Sequence, residues 1–185
     1  MTVTKLSATD ISSYACHKEA LKDATKSPYI NSPFKVYKDM SSKKKGKFFE
    51  MIVQEYLEKQ GYTVARSENS DHDRIVRLDA TKDGKTIKVE IKGSMLWGTG
   101  TMFRWQQLRP HQDYDIVIFL AVYPDRIEFY SSEKNELRAL ITTQDKDGNF
   151  VYNQHGGKTV NSGTYKLDGF PSDYKSIFHP IDTYL

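Results

Sequence analysis

The sequence has few of the features that mark secreted, membrane-bound or zinc-stabilised proteins. It contains a single cysteine, Cys16, which excludes an internal disulfide and a Cys-x-x-Cys motif. Its longest strongly apolar run, residues 116–123, is less than half of the roughly 20 residues that a membrane helix needs. Residues 1–10 lack the apolar core of a signal peptide. We therefore expect a soluble protein of a reducing compartment, the cytoplasm, with no membrane partner.

An excess of charge of one sign is also missing. The chain has 27 Lys and Arg residues against 24 Asp and Glu residues, a net charge of +3, which is too small to indicate a nucleic-acid partner by itself. The distribution is uneven, because residues 35–47 contain six lysines and one acid. This window is either a solvated loop or a surface that faces phosphates, and its composition favours neither.

Length and composition are typical of one globular domain. The chain has 185 residues, of which 38% are hydrophobic, and a chain of this size can bury about 70% of its extended surface. It has no internal repeat and no linker rich in Pro, Gly or Ser. We expect one domain over residues 1–185, with an N-terminal helical part at about 1–43, a core at about 44–157, and C-terminal strands and loops at 158–185.

The pattern of apolar residues predicts helices mixed with strands. The predicted helices are Asp10–Asp23 with Asp10 as its cap, about Lys44–Gln60, a short helix at Phe103–Leu108, and Glu133–Ile141. The predicted strands are Tyr62–Ser67, Arg74–Ala80, Thr86–Lys92, Ile116–Tyr123 and Arg126–Ser131, followed by short strands and loops. This order indicates the α/β class, with a mixed β-sheet flanked by helices.

Two of these strands form a predicted hairpin with Asp83-Gly84 at its turn. In the register that this turn implies, Glu90 lies opposite Arg77. Because residues two apart share a face, Asp73 then lies on the same face as Glu90 and Lys92, at the open end of the hairpin. Two carboxylates are a minimal protein contribution to a Mg²⁺ site that also binds phosphate. A lysine beside them can orient the attacking water and offset phosphate charge.

The triplet Glu90-Ile91-Lys92 is not distinctive by itself. Three acid-x-Lys triplets occur in the chain, about as many as chance predicts, and this one is singled out by its place at the end of a strand. Asp79 is the rival to Asp73, since it is on the same face but closer to the turn. A solvent-facing edge of Glu and Lys is the alternative for the whole set.

Longer segments around these residues resemble the PD-(D/E)xK nuclease superfamily, and within it the type II restriction endonucleases. The resemblance covers about residues 44–157. Its segments are FFE at 48–50, DHDRIV at 71–76, VEIKGS at 89–94, LW at 96–97, FRWQQLR at 103–109, QDYD at 112–115 and QHGG at 154–157. It implies a restriction-endonuclease-like core and Mg²⁺ as the cofactor, with Mn²⁺ as a substitute. The chain departs from the name-giving pattern in one respect, because no proline precedes Asp73.

The resemblance also implies the roles of the site residues. Asp73 and Glu90, together with the main chain of Ile91, are expected to be metal ligands. Lys92 is the expected catalytic lysine, and Glu50 is the expected accessory acid, although Glu50 is equally well explained as a surface acid.

A second set of residues is expected to contact DNA. Glutamine and arginine side chains carry the donors and acceptors that suit base edges and phosphates, and a Gly-Gly step lets the main chain approach closely. Arg109 is also explained as a helix cap or an ion-pair partner, and Trp97 as a core residue. The full expected set is Lys43, Lys44, Lys45, Ser94, Trp97, Arg104, Gln106, Gln107, Arg109, Gln154, His155 and Gly156.

The sequence thus leads us to expect a Mg²⁺-dependent endonuclease of double-stranded DNA, of the type II restriction kind. Analogy adds a homodimer, because such enzymes cut palindromes as two-fold dimers, and a cognate methyltransferase. Two alternatives stay open. One is a repair or recombination nuclease of the same superfamily, and the other is a DNA-binding module without catalytic activity.

Overall fold

The structure is a computed structural model that describes residues 4–18, 32–78, 86–96, 102–156, 159–160 and 162–185. The helices are α1 (Ala8–Ser12), α2 (Lys35–Lys38), α3 (Ser42–Lys59) and α4 (Lys134–Ile141), and residues 15–18 are also helical. The strands are β1 (Thr4–Ser7), β2 (Tyr62–Arg66), β3 (Arg74–Leu78), β4 (Thr86–Met95), β5 (Phe103–Leu108), β6 (Ile116–Val122), β7 (Arg126–Glu133), β8 (Asn153–Gly156), β9 (Gly163–Gly169) and β10 (His179–Pro180). Short 3₁₀ helices follow at Pro171–Tyr174 and Ile181–Thr183.

Seven of the described strands form one mixed sheet in the order β1-β7-β6-β4-β3-β2, with β10 also paired to β7. The pairing of β4 with β6 is parallel, and the other pairings in this sheet are antiparallel. A second sheet has the order β5-β9-β8. Parallel pairing of β4 with β6 requires a crossover connection, and β5 lies in that connection. The second sheet therefore packs over one face of the first.

Two hydrophobic clusters lie on the two faces of the main sheet. One joins α3 to the sheet through residues such as Ile52, Ile91 and Phe129. The other includes Trp105 of β5 and Phe119 of β6. Trp105 is fully buried and its indole N–H donates to the carbonyl of Leu120 at 2.9 Å, so this tryptophan is a core residue. The α/β class with a mixed, helix-flanked sheet is confirmed.

Strand β4 contributes alternate residues to the two faces. Val89 and Ile91 are buried in the cluster that contains α3. Gly93 follows on the same face, and a Cβ at this position would lie 2.0 Å from Cδ2 of Phe49. The absence of a side chain at Gly93 therefore lets α3 pack directly against β4.

The predicted helix at about Lys44–Gln60 and the buried strand at Ile116–Tyr123 are confirmed as α3 and β6. The predicted cap at Asp10 is wrong, because α1 begins at Ala8. Its N-cap is Ser7, whose side chain accepts from the Asp10 N–H while the Asp10 carboxylate accepts from the Ser7 N–H.

The predicted short helix at Phe103–Leu108 is wrong, because these residues form strand β5. Phe103, Trp105 and Leu108 are buried, whereas Gln106 and Gln107 are both exposed. The extra outward residue breaks the period of two that identifies a strand, and pairing with β9 is what fixes the extended backbone.

The predicted hairpin exists, but its register is different. Arg74 pairs with Val89 and Arg77 with Thr86, four positions away from the register that a turn at Asp83-Gly84 implies. The turn itself and Asp79 lie outside the described residues. Since the offset is an even number of residues, each side chain keeps the face that the sequence predicts.

None of the helices in the described ranges combines the length and hydrophobicity that a membrane crossing requires.

Candidate active site

The observed register places Asp73, the residue immediately before strand β3, level with Glu90. The Asp73 N–H donates to the Val89 carbonyl at 3.0 Å, and Oδ2 of Asp73 accepts from the Ile91 N–H at 2.7 Å. If β3 continued towards its N-terminal side, the main chain of the residue before Asp73 would pair with Ile91. The Asp73 side chain makes that bond instead. As a result, Asp73 and Glu90 are cross-strand neighbours on one face.

Glu90 is buried, with 6% of its surface exposed. Its Oε1 accepts a hydrogen bond from Nζ of Lys92, which lies two residues further along the same face. Burial raises the pKa of Glu90 to about 7, against the opposing effect of the Lys92 ammonium group and with a further contribution from the Asp73 carboxylate. Two acids and one lysine therefore meet at the open end of β3.

Glu50 reaches this site from the other side of the sheet, through Arg74. Arg74 is 4% exposed, and its Nη1 donates both to Oε2 of Glu50 at 3.0 Å and to the Asp73 carbonyl at 2.8 Å, while its Nε donates to Oε1 of Gln54 at 3.1 Å. Burial and then the charge of Asp73 raise the pKa of Glu50, and Arg74 opposes this shift. The guanidinium group holds helix α3 to the main chain that carries Asp73.

The donors at this point suit a hard divalent cation. Mg²⁺ is usually bound by one or two carboxylates, with water and phosphate oxygens completing its coordination, and Asp73 and Glu90 supply two carboxylates. The N–H and C=O groups of one strand residue point to the same neighbour, so the Ile91 carbonyl faces the side on which Asp73 lies. No group of three or more His, Cys, Asp or Glu side chains in a metal-binding arrangement occurs among the described residues.

Residues not anticipated from the sequence complete the surroundings. Tyr114 is buried, and burial followed by the charge of Glu90 raises the pKa of its hydroxyl. His72 and Gln112 are buried near the loop before Asp73, and Nδ1 of His72 and Oε1 of Gln112 have no hydrogen-bond partner in the described part of the chain. Among the residues around the site, only Arg74 could have been singled out from the sequence. It is a charged residue in the alternating series of β3 that also contains the buried Val76.

A positively charged cavity of about 450 Å³ lies beside Glu50. Its lining residues are Ser41, Lys43, Lys44, Lys47, Glu50, Met51, Arg66 and Arg74. Lys43 and Lys44, which are expected to contact DNA, thus line this cavity together with Lys47 and Arg66. Lys45 does not line this cavity; burial lowers its pKa, and Asp39 opposes that shift.

The other expected DNA contacts fall mainly on the small sheet. Gln106, Gln107 and His155 are exposed there, and Gly156 pairs with Gly163. Arg104 forms a two-pronged ion pair with Asp168, at 2.7 and 3.1 Å.

Three further expected contacts differ in their setting. Ser94 is buried, and its Oγ accepts from the Arg104 N–H at 2.8 Å, which joins β4 to β5. Arg109 lies half-buried in the loop after β5, where its carbonyl accepts from the Gln112 N–H at 3.1 Å. Trp97 lies outside the described residues.

No protein-family profile matches the chain, and no curated protein matches it in sequence. Among solved structures, a bacterial homing endonuclease is similar with a TM-score of 0.41 and 17% sequence identity, over 69% of this chain and 75% of that one. At this level of similarity the match supports no functional conclusion.

Proposed function

We propose that the protein is a Mg²⁺-dependent DNA endonuclease of the PD-(D/E)xK type, which cuts duplex DNA at a defined sequence as type II restriction enzymes do. The observation that carries this proposal is the meeting of Asp73, Glu90 and Lys92 at the start of β3, where the Ile91 N–H fixes the Asp73 carboxylate and Lys92 contacts Glu90. Two acids that can hold a divalent cation and a lysine beside them, on one face of the sheet, suit phosphodiester hydrolysis.

Each residue has a role that follows from its position. Asp73 and Glu90 would hold the cation, with Mn²⁺ as a substitute for Mg²⁺. When bound, Mg²⁺ supplies a Lewis acid for the scissile phosphate and lowers the pKa of a bound water. Lys92 would orient the attacking water and offset the charge that develops on the phosphate. Glu50 and Arg74 would keep the Asp73 main chain in place from the α3 side.

The cationic cavity beside Glu50 supports a nucleic-acid substrate. The positive charge of this cavity lies beside Glu50 and Arg74 and comes also from Lys43, Lys44, Lys47 and Arg66. Contacts of Lys and Arg with phosphates supply most of the sequence-independent affinity for DNA. We infer that the backbone of the bound strand follows this cavity towards Asp73.

The assembly expected of such an enzyme forms part of the proposal. A two-fold homodimer would place two active sites on a palindromic duplex, and a methyltransferase of the same specificity would protect the host sequence. Light scattering of the protein with and without a duplex measures the first point. A monomer in both conditions would remove the dimer from the proposal and leave the chemistry untouched.

The direct test is cleavage of phage DNA by the purified protein, with Mg²⁺ or with EDTA. Discrete fragments with Mg²⁺ and intact DNA with EDTA are expected. A nuclease of repair or recombination would instead prefer nicked or branched substrates over plain duplex, so these are tested in parallel. Binding to duplex with no cleavage under any divalent cation would favour the non-catalytic alternative.

A further inference from the structure

The outer surface of the small sheet carries a backbone irregularity at two consecutive glutamines. In a regular strand, neighbouring side chains point to opposite faces, yet Gln106 and Gln107 are both exposed. The pairing of β5 with β9 shifts between Trp105 and Leu108, so the two glutamines form a β-bulge. A bulge changes the direction of a side chain without unfolding its strand.

Gln107 has a conformation that is rare for its residue type. Its φ is 57°, and it is the one non-glycine residue among those described with φ in the left-handed region. Such a conformation costs energy and persists only where the surrounding structure holds it, which is most often at functional sites.

The structure also shows what holds it. The Gln107 N–H donates to Oε1 of Gln154 at 2.7 Å. Gln154 belongs to β8, so its side chain reaches across the central strand β9 to β5. The pairing of β8 with β9 is itself shifted between Asn153 and His155. Two irregular edge strands are therefore joined by one side chain across the exposed face.

This bulge lies towards the catalytic end of the molecule. The Arg104 N–H donates to Oγ of Ser94, which places the start of β5 beside the far end of β4. The chain then leaves β5 at Leu108 and enters β6 at Ile116, which pairs with Val89, the neighbour of Glu90. Strand β5 therefore runs from the Ser94 end of β4 back towards its Glu90 end. Residues 106 and 107 lie along it in that direction.

We propose that the β5 bulge is a base-reading element, in which Gln106 and Gln107 contact the adenines of two neighbouring A·T pairs in the major groove next to the cleaved bond. This inference rests on the proposed function. A carboxamide offers a donor and an acceptor together, which match N7 and the N6 amino group of adenine. The major groove admits a β-ribbon, and β5 is an edge strand of the small sheet.

The charges nearby favour base contacts over phosphate contacts for this surface. Arg104 and Lys166 both contact the carboxylate of Asp168, so one acid offsets part of the charge of the two cations beside the bulge. The cavity beside Glu50, in contrast, is lined by three lysines and two arginines against one acid. Neutral amides on a face with this smaller excess of positive charge suit the recognition of base edges.

The experiment selects bound sequences from a pool of random DNA duplexes, in EDTA so that no cleavage occurs. The variants are Gln106→Ala and Gln107→Gly, since glycine accepts a positive φ without strain. The matched control is Gln60→Ala, an exposed glutamine at the end of α3 on the other side of the sheet. Thermal melting checks that each variant is folded.

We expect the wild type to enrich adenines at two adjacent positions. Each variant should lose the preference at one of them by about 5- to 150-fold, the equivalent of about 1–3 kcal/mol for a two-pronged base contact. Gln60→Ala should enrich the wild-type sequence. Gln154 is a positioning residue here, so Gln154→Ala should weaken the preference at the Gln107 position and have no added effect in a Gln107→Gly background.

The outcomes separate this inference from the proposed function. Enrichment that Gln106→Ala and Gln107→Gly leave unchanged, or a uniform loss of affinity for all duplexes, would overturn the reading role while leaving DNA binding intact. Wild-type protein that binds no duplex would overturn both. Cleavage activity is measured separately and does not enter either result.

Discussion

Oδ2 of Asp73 accepts a hydrogen bond from the Ile91 N–H at 2.7 Å, so the first acid of the site is fixed to the strand that carries the other two residues. This bond replaces a main-chain ladder bond immediately before the start of β3. The catalytic hypothesis depends on this local geometry.

The first prediction concerns the acids and the lysine. Asp73→Ala, Glu90→Ala and Lys92→Ala should each abolish cleavage while the protein stays folded, because none of the three side chains belongs to either hydrophobic cluster. Lys92→Ala should still bind duplex in the presence of Ca²⁺. Cleavage rates on one substrate, with thermal melts alongside, measure both properties.

Asp79→Ala is the comparison variant, since Asp79 lies towards the hairpin turn in the sequence, and it should remain active. Near wild-type cutting by Glu90→Ala or Lys92→Ala would sink the mechanism. An inactive but folded Asp79→Ala together with an active Asp73→Ala would instead move the first acid to position 79.

The second prediction concerns the lysines of α3. If each phosphate contact adds about 0.9 to the slope of log K against log salt, replacing Lys43, Lys44 and Lys47 by Gln should flatten that slope by up to roughly 2.7. Lys45→Gln should change it less, because Lys45 does not line the cavity. Fluorescence anisotropy of a labelled duplex over a range of salt concentrations gives the slopes. Equal slopes for wild type and the triple variant would return these lysines to a solvated surface.

The third prediction concerns the close approach of α3 to β4. Gly93→Ala would place a Cβ 2.0 Å from the buried ring of Phe49, and such overpacking costs about 1–3 kcal/mol of unfolding free energy. Gly46→Ala in α3 is the control, because nothing lies within 4 Å of a Cβ there and alanine in a helix is favoured over glycine by about 0.5–1 kcal/mol. Urea denaturation should therefore show opposite signs for the two substitutions. A Gly93→Ala protein as stable as wild type would show that helix and strand can separate without cost.

The fourth prediction concerns a buried histidine. Burial lowers the pKa of His17 from its usual value of 6.5, and Nδ1 lies 2.8 Å from the Tyr37 hydroxyl. The unfolded chain therefore binds a proton below pH 6.5 that the folded protein resists, so the unfolding free energy should fall as the pH drops below 6.5 and should not depend on this group above it. His17→Gln should reduce that slope, whereas His111→Gln, at an exposed position, should leave it unchanged. Denaturation between pH 5 and 8 measures this, and identical slopes for wild type and His17→Gln would exclude the assignment.

Local patterns determined much of the fold and the main grouping of the site. The apolar stripe of α3 and the continuous apolar run of β6 have clear periods, and both elements are confirmed. The sequence pattern predicts Asp73 and Glu90 on one face, and the structure keeps them there although the predicted register is wrong by four positions. An even offset preserves the face, and the true register brings these two residues level rather than apart.

Other features depend on contacts that a local pattern does not contain. Arg74 is buried because Glu50, 24 residues earlier in the chain, supplies the partner for its charge. Residues 103–108 are extended because β9, which follows about 60 residues later, pairs with them. The position of the bulge at Gln107 likewise depends on Gln154, which is 47 residues away.

Strand β4 has a consequence for how the sequence of this protein can vary over time. Helix α3 packs on one face of this strand, which carries Val89, Ile91 and Gly93. The opposite, polar face carries Glu90, Lys92 and Ser94. Substitutions at the first three residues are limited by the stability of the fold, whereas those at Glu90 and Lys92 are limited by catalysis. The two sets alternate along six consecutive positions. A homologue that had lost cleavage could therefore replace Glu90 and Lys92 and still retain Val89, Ile91 and Gly93. Conservation of these three residues would not by itself identify an active enzyme.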